Sequence, residues 1–97
     1  MRISDIIEQV HQNAIDHGWW ESERNIPEVL CLIHAEVSEA LEAYRVGDNE
    51  NFKEELADIA IRLFDACGAW KVDLEAEIEK KHQRNIDRPY RHGGKKA

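Results

Sequence analysis

The sequence predicts an all-α, four-helix bundle-like domain, and three observations lead there. Apolar residues recur at three- and four-residue spacing through four segments of the chain. Turn and cap signals at Gly18, Asn25 with Pro27, Val46 to Asn51, and Val72 with Asp73 separate those segments. The composition, 42% hydrophobic and 34% charged over 97 residues, is that of an ordinary folded domain and lies well outside the disordered range.

Ser4 or Asp5 is expected to cap a first helix, in which Ile3, Ile6, Ile7, Val10 and Ala14 follow the helical repeat until Gly18 ends it. Trp19 and Trp20 follow in a connection. A tryptophan there can seal the edge of the bundle, or its indole can form a wall on which a base stacks. Sealing is the preferred reading for Trp19; for Trp20 the two readings stand level, and it is the candidate substrate contact. Asn25 and Pro27 open a second helix that runs to about Val46, with Leu30, Ile33, Val37, Leu41 and Tyr44 as its main apolar stripe. A third helix spans roughly Glu50 to Trp70 and carries Phe52, Leu56, Ile59, Ala60, Leu63, Phe64 and Cys67 on one wide core face. Asp73 caps a fourth, anchored by Leu74 and Ile78 and running to about Asn85, after which Pro89, Gly93 and Gly94 forbid more helix. The expected organisation is one domain over residues 1–92 and a flexible tail over 93–97. Cys31 and Cys67 read as small core residues, without the pairing density of a secreted mini-protein.

The second and third helices carry Glu36-x-x-Glu39 and Glu55-x-x-Asp58. Carboxylates three residues apart on a helix share one face, so each pair can reach one ion. A short loop between the helices favours antiparallel packing, which would converge all four acids on one spot. No lysine lies between Arg24 and Lys53 to make a lysine-paired solvated face. Oxygen-only ligand sets suit Mg²⁺ or Mn²⁺, and Mg²⁺ keeps positions open for water and substrate phosphates. Arg62 is spaced to pair with Asp58 at i,i+4, and from there to orient it.

The formal net charge of -7 argues against a nucleic-acid polymer or an anionic membrane as partner. Basic residues nonetheless gather at the end of the chain, from Lys80 to Lys96, and an acidic body with a basic end suits a metal-chelated polyphosphate. Lys95 and Lys96 themselves read as a solubilising tail. No apolar run reaches the length of a membrane span and no signal-peptide core is present, so a cytoplasmic location is expected.

These motifs resemble those of the MazG-like all-α nucleoside triphosphate pyrophosphohydrolases. The likeness lies in Glu36-Val-Ser-Glu39 and Glu55-Leu-Ala-Asp58, in the surrounding words His34 to Arg45 and Glu54 to Arg62, and in the ending Lys81-His-Gln-Arg-Asn85-Ile-Asp-Arg88-Pro-Tyr90-Arg-His92, which is similar to small phage- or prophage-type members. It covers most of the chain from about residue 28. Where many members double the acid before the first motif, Ala35 stands here. The resemblance implies hydrolysis of ribo- or deoxynucleoside triphosphates between the α and β phosphates, with Mg²⁺ (or Mn²⁺) held by Glu36, Glu39, Glu55 and Asp58. It makes Glu39 the candidate for activating water, although the spacing itself does not separate base from ligand among the four. Lys81 and Arg88 would hold phosphates and Asn85 the base or sugar, with Tyr90 and His92 more suited to loop packing. A homodimer or homotetramer is implied, with the base pocket completed by another subunit.

Two other readings bear on the same residues. A di-iron bundle needs two Glu-x-x-His motifs, and Glu79-Lys-Lys-His82 is the one present. A non-catalytic helical module, with the acids as a solvated face, would bind no metal saturably.

Overall fold

A computed structural model describes residues 1–89. The expectations for Tyr90, His92, Lys95, Lys96 and the 93–97 tail lie outside the described residues. Four helices follow one another: α1 (Ile3–Asp16), α2 (Ile26–Arg45), α3 (Asn49–Trp70) and α4 (Leu74–Ile86). α3 is the central element, with α2 and α1 packed on it, and α4 leans on α1.

Local chemistry sets the boundaries. Asn25 accepts a hydrogen bond from the Glu28 N–H at 2.8 Å, with Pro27 in the first turn. Asp48 and Asp73 do the same for the Asn51 and Ala76 N–H groups, each at 3.1 Å. α1 departs from expectation: its cap position is Arg2, while Ser4 and Asp5 lie inside the helix. Asp5 serves the terminus from within, accepting the Arg2 backbone N–H at 3.1 Å. The α2–α3 loop is only Val46, Gly47 and Asp48, and Gly47 takes φ +78°, a left-handed turn that suits glycine. The Arg2 guanidinium and the Ser4 N–H both bond the Glu75 carboxylate, tying the start of α4 to the start of α1.

The core is thin. Ile7, Val29, Ala40, Ala43, Ala66 and Cys67 are its buried apolar residues, and none of the large side chains among the described residues is fully buried. α1 and α3 approach closely at Gly68, where a Cβ would stand 2.6 Å from the Cβ of His11. Four expectations about packing are corrected here. The side of α2 that meets the rest of the chain carries Val29, Ala40 and Ala43, whereas its main apolar stripe is largely open: Leu30, Val37, Leu41 and Tyr44 are 45–68% exposed. Cys31 is exposed because it lies on α2 roughly opposite Val29, while Cys67 is buried as expected. Leu56 and Ile78 are also exposed, at 48% and 42%, so α4 is anchored by Leu74 and by Glu75 rather than by Ile78. Among the described residues no helix is long and apolar enough to cross a membrane.

Candidate metal centre and cleft

Antiparallel packing of α2 on α3 brings Glu36, Glu39 and Glu55 together. One carboxylate oxygen from each lies within 4.8 Å of the others. Glu39 is exposed, and Glu36 and Glu55 are half-buried. Asp58 stays outside this close group. One turn beyond Glu55, its exposed side chain faces an adjoining cleft.

Charge is unevenly distributed over the three acids. Arg62 reaches across from α3 to α2, and its Nε–H donates to Glu36 Oε1 at 2.7 Å. The i,i+4 pair with Asp58 expected from the spacing is replaced by this inter-helix pair, because Glu36, 12% exposed at its side chain, gains more from a cation than exposed Asp58 does. The Arg62 hydrogen bond holds the Glu36 carboxyl below its ordinary range. Glu55 moves the other way, to about 7: desolvation is the main cause, followed by the neighbouring carboxylates of Glu36 and Glu39. Its Oε2 atom is buried and has no hydrogen-bond partner. A buried, unpartnered carboxylate oxygen beside two further carboxylates fits a hard divalent cation, whose ligands are oxygens.

The cleft, of about 610 Å³, opens between α1 and α3 and is lined by Asn13, His17, Trp19, Glu36, Asp58 and Arg62 among others. Its aromatic wall is Trp19. The Trp19 ring carries the Arg24 guanidinium 3.9 Å and the Arg62 guanidinium 4.9 Å from its centroid, and the Arg24 Nε–H fixes the Trp19 carbonyl at 2.9 Å. Trp20, the expected substrate contact, is turned inward: its indole N–H donates to Asp65 Oδ1 at 2.9 Å. The same oxygen pairs with His11 Nδ1 at 2.8 Å, and the His11 and Trp20 rings meet edge to face. Asp65, 8% exposed, is thus satisfied by α1 and by the tryptophan connection at once.

Lys81 and Asn85 lie elsewhere, on a shallow groove of α4 with Leu74, Glu77, Ile78 and His82. Arg88 follows the end of that helix and is exposed. Within one chain these three do not line the acidic cleft. The residues that sequence reasoning missed are His11, Asn13, His17 and Asp65. Asp65 had a signal: it is an acid inside the apolar run Leu63 to Cys67, a place acids seldom occupy unless paired. No family model, curated protein or solved structure matches the chain.

Proposed function

We propose that the protein is a divalent-metal-dependent nucleoside triphosphate pyrophosphohydrolase, releasing the monophosphate and pyrophosphate. The observation that carries this reading is the convergence of Glu36, Glu39 and Glu55 within 4.8 Å, one of their oxygens buried and unpartnered, at the edge of a cleft walled by Trp19 and Arg62. The motif resemblance supplies the reaction class. Glu36, Glu39 and Glu55 would hold Mg²⁺ or Mn²⁺, and Asp58, outside that close group, would act from the cleft side. When bound, the metal offsets phosphate charge and lowers the pKa of an attacking water. Glu39, the most accessible of the three, is the candidate to take the proton of that water. Arg62 and Trp19 offer a cation to the phosphates and an apolar surface to the rest of the nucleotide.

The functional unit in this reading is an oligomer. Ile26, Leu30, Val37, Leu41 and Tyr44 form one stripe along α2, about 27 Å long and spanning about 60° of the helix. A second copy of the same helix is its natural partner, since the stripe is long, apolar and self-complementary while the single-chain core is thin. The motif resemblance would have a neighbouring copy complete the site with its Lys81, Asn85 and Arg88, which one chain leaves away from the cleft.

Pyrophosphate release from a panel of ribo- and deoxynucleoside triphosphates with Mg²⁺ or Mn²⁺ tests the proposal. Release from one or a few of them is expected, falling by about 100-fold or more in Glu39→Gln and also lost in Asp58→Asn, both remaining folded. No release across the panel, together with no saturable Mn²⁺ binding, would leave the acids as surface. The exposed α2 stripe would then mark an interaction module.

A further inference from the structure

Arg62 is the single cation within 4.0 Å of the three clustered carboxylates among the described residues. How it is held is informative. A guanidinium offers five N–H donors in a rigid fork, and a fixed partner of a carboxylate commonly uses two of them in parallel. Arg62 uses one: Nε–H bonds Glu36, and neither Nη nitrogen makes a hydrogen bond to another described residue. Its side chain is about one-third exposed, at 32%. The guanidinium carbon already lies 4.9 Å from the centroid of the Trp19 ring, and Arg62 lines the cleft. The head group therefore touches the aromatic wall while it bonds Glu36, a ring it shares with Arg24 at 3.9 Å, and it can release Glu36 without leaving the cleft.

Two cations competing for one small acidic cluster repel each other. A divalent ion at Glu36, Glu39 and Glu55 would sit close to the guanidinium while that group remains on Glu36. We propose that Arg62 is a displaceable internal counter-ion: without metal its guanidinium holds Glu36, and in the metal-loaded protein it releases Glu36 while staying beside Trp19 in the cleft, where it meets substrate phosphate. This inference rests on the metal-dependent reading above. It reverses the effect expected of an arginine that merely orients a metal ligand. An orienting residue, when removed, weakens metal binding; a competitor, when removed, strengthens it.

The test compares wild type, Arg62→Gln and Arg62→Lys without nucleotide, by calorimetric titration with Mn²⁺ and by thermal unfolding in EDTA. Arg62→Gln is expected to melt lower in EDTA, with Glu36 left without its cation, yet to bind Mn²⁺ more tightly, on the order of tenfold. Arg62→Lys, which keeps the charge, is expected to bind as wild type does. In the wild-type protein the Arg62 Nε–H resonance, assigned by its absence in Arg62→Lys, should shift when diamagnetic Mg²⁺ is added. An unmoved resonance would overturn the counter-ion role even where Arg62→Gln does not fold. Equal or weaker Mn²⁺ binding by folded Arg62→Gln, or an Nε–H resonance unmoved by saturating Mg²⁺, would overturn the counter-ion role and leave the metal site standing. No Mn²⁺ binding by wild type or by Arg62→Gln would overturn both.

Discussion

Glu55 holds a proton in the folded protein over a range where the unfolded chain has released it. Its carboxyl titrates at about 7 against an ordinary 4.5, so between those values the native state binds more protons and stability falls as pH rises. The contribution is complete below about 4.5 and lost through about 7. Glu36 runs the other way: lowered by Arg62, it adds stability above its ordinary value that is lost as pH falls. In EDTA the melting temperature is therefore expected to drop from about pH 5 to about pH 8, and Glu55→Gln should flatten that drop. In the proposed metal site, affinity is expected to have the opposite slope, because Glu55 would have to shed its proton to serve as a ligand. Calorimetric Mg²⁺ titrations across that range should show tighter binding at the alkaline end, with proton release. Asp65 gives a second residue-scale prediction. One of its oxygens serves both His11 and Trp20, so Asp65→Ala leaves two part-buried groups unpaired and should cost about 3 kcal/mol in a urea melt. A loss under 1 kcal/mol would mean that water replaces the carboxylate at no cost.

Between elements, close approach and exposed stripes decide what can change. Gly68→Ala puts a methyl group 2.6 Å from the His11 Cβ. α1 must then lift from α3, at about 1–3 kcal/mol measured by urea denaturation, whereas the same substitution in an open helix would be neutral or stabilising. On α2, Leu41→Glu places a charge on the open stripe. Sedimentation should find a monomer with its helical circular dichroism intact, and an unchanged association state would remove α2 from the interface. The four helices themselves were legible from sequence because period, caps and loop signals agreed: Asn25 and Asp73 cap where expected, and the helix ends fall within a residue or two. What periodicity could not reveal is which apolar stripe faces inward. Leu30, Val37, Leu41 and Tyr44 make the more hydrophobic line on α2, yet the chain packs against Val29, Ala40 and Ala43, whose small side chains let α3 come near. Hydrophobicity marks a surface for burial; whether the cover is the same chain or another copy is not written in the period.

In the molecule as a whole, the acids lie at one cleft and Lys81 and Asn85 at another groove, and the proposed oligomer would be a means of joining them. If each site takes its acids from one copy and α4 from another, mixing inactive Glu39→Gln with inactive Arg88→Ala should restore about a quarter of wild-type turnover, through hybrid oligomers with one intact site. No recovery after subunit exchange would place both functions within one chain. The acid triad was legible because helical spacing and a short loop suffice to converge Glu36, Glu39 and Glu55. The choice of Glu36 over Asp58 by Arg62 was not, since it turns on burial across the α2–α3 contact, nor were the two tryptophans, whose positions depend on how α1 and its connection dock onto α3. That docking also sets an order of events during synthesis. α2 and α3 are joined by three residues and can pair as soon as both exist, but α1 and its connection are held by partners 54 and 45 positions further along, on the last turns of α3. Of these three helices, the earliest synthesised is thus the last to find its place. Until Asp65 emerges, α1 waits with its apolar face uncovered, and a nascent-chain truncation before that residue should be the form most readily captured by chaperones.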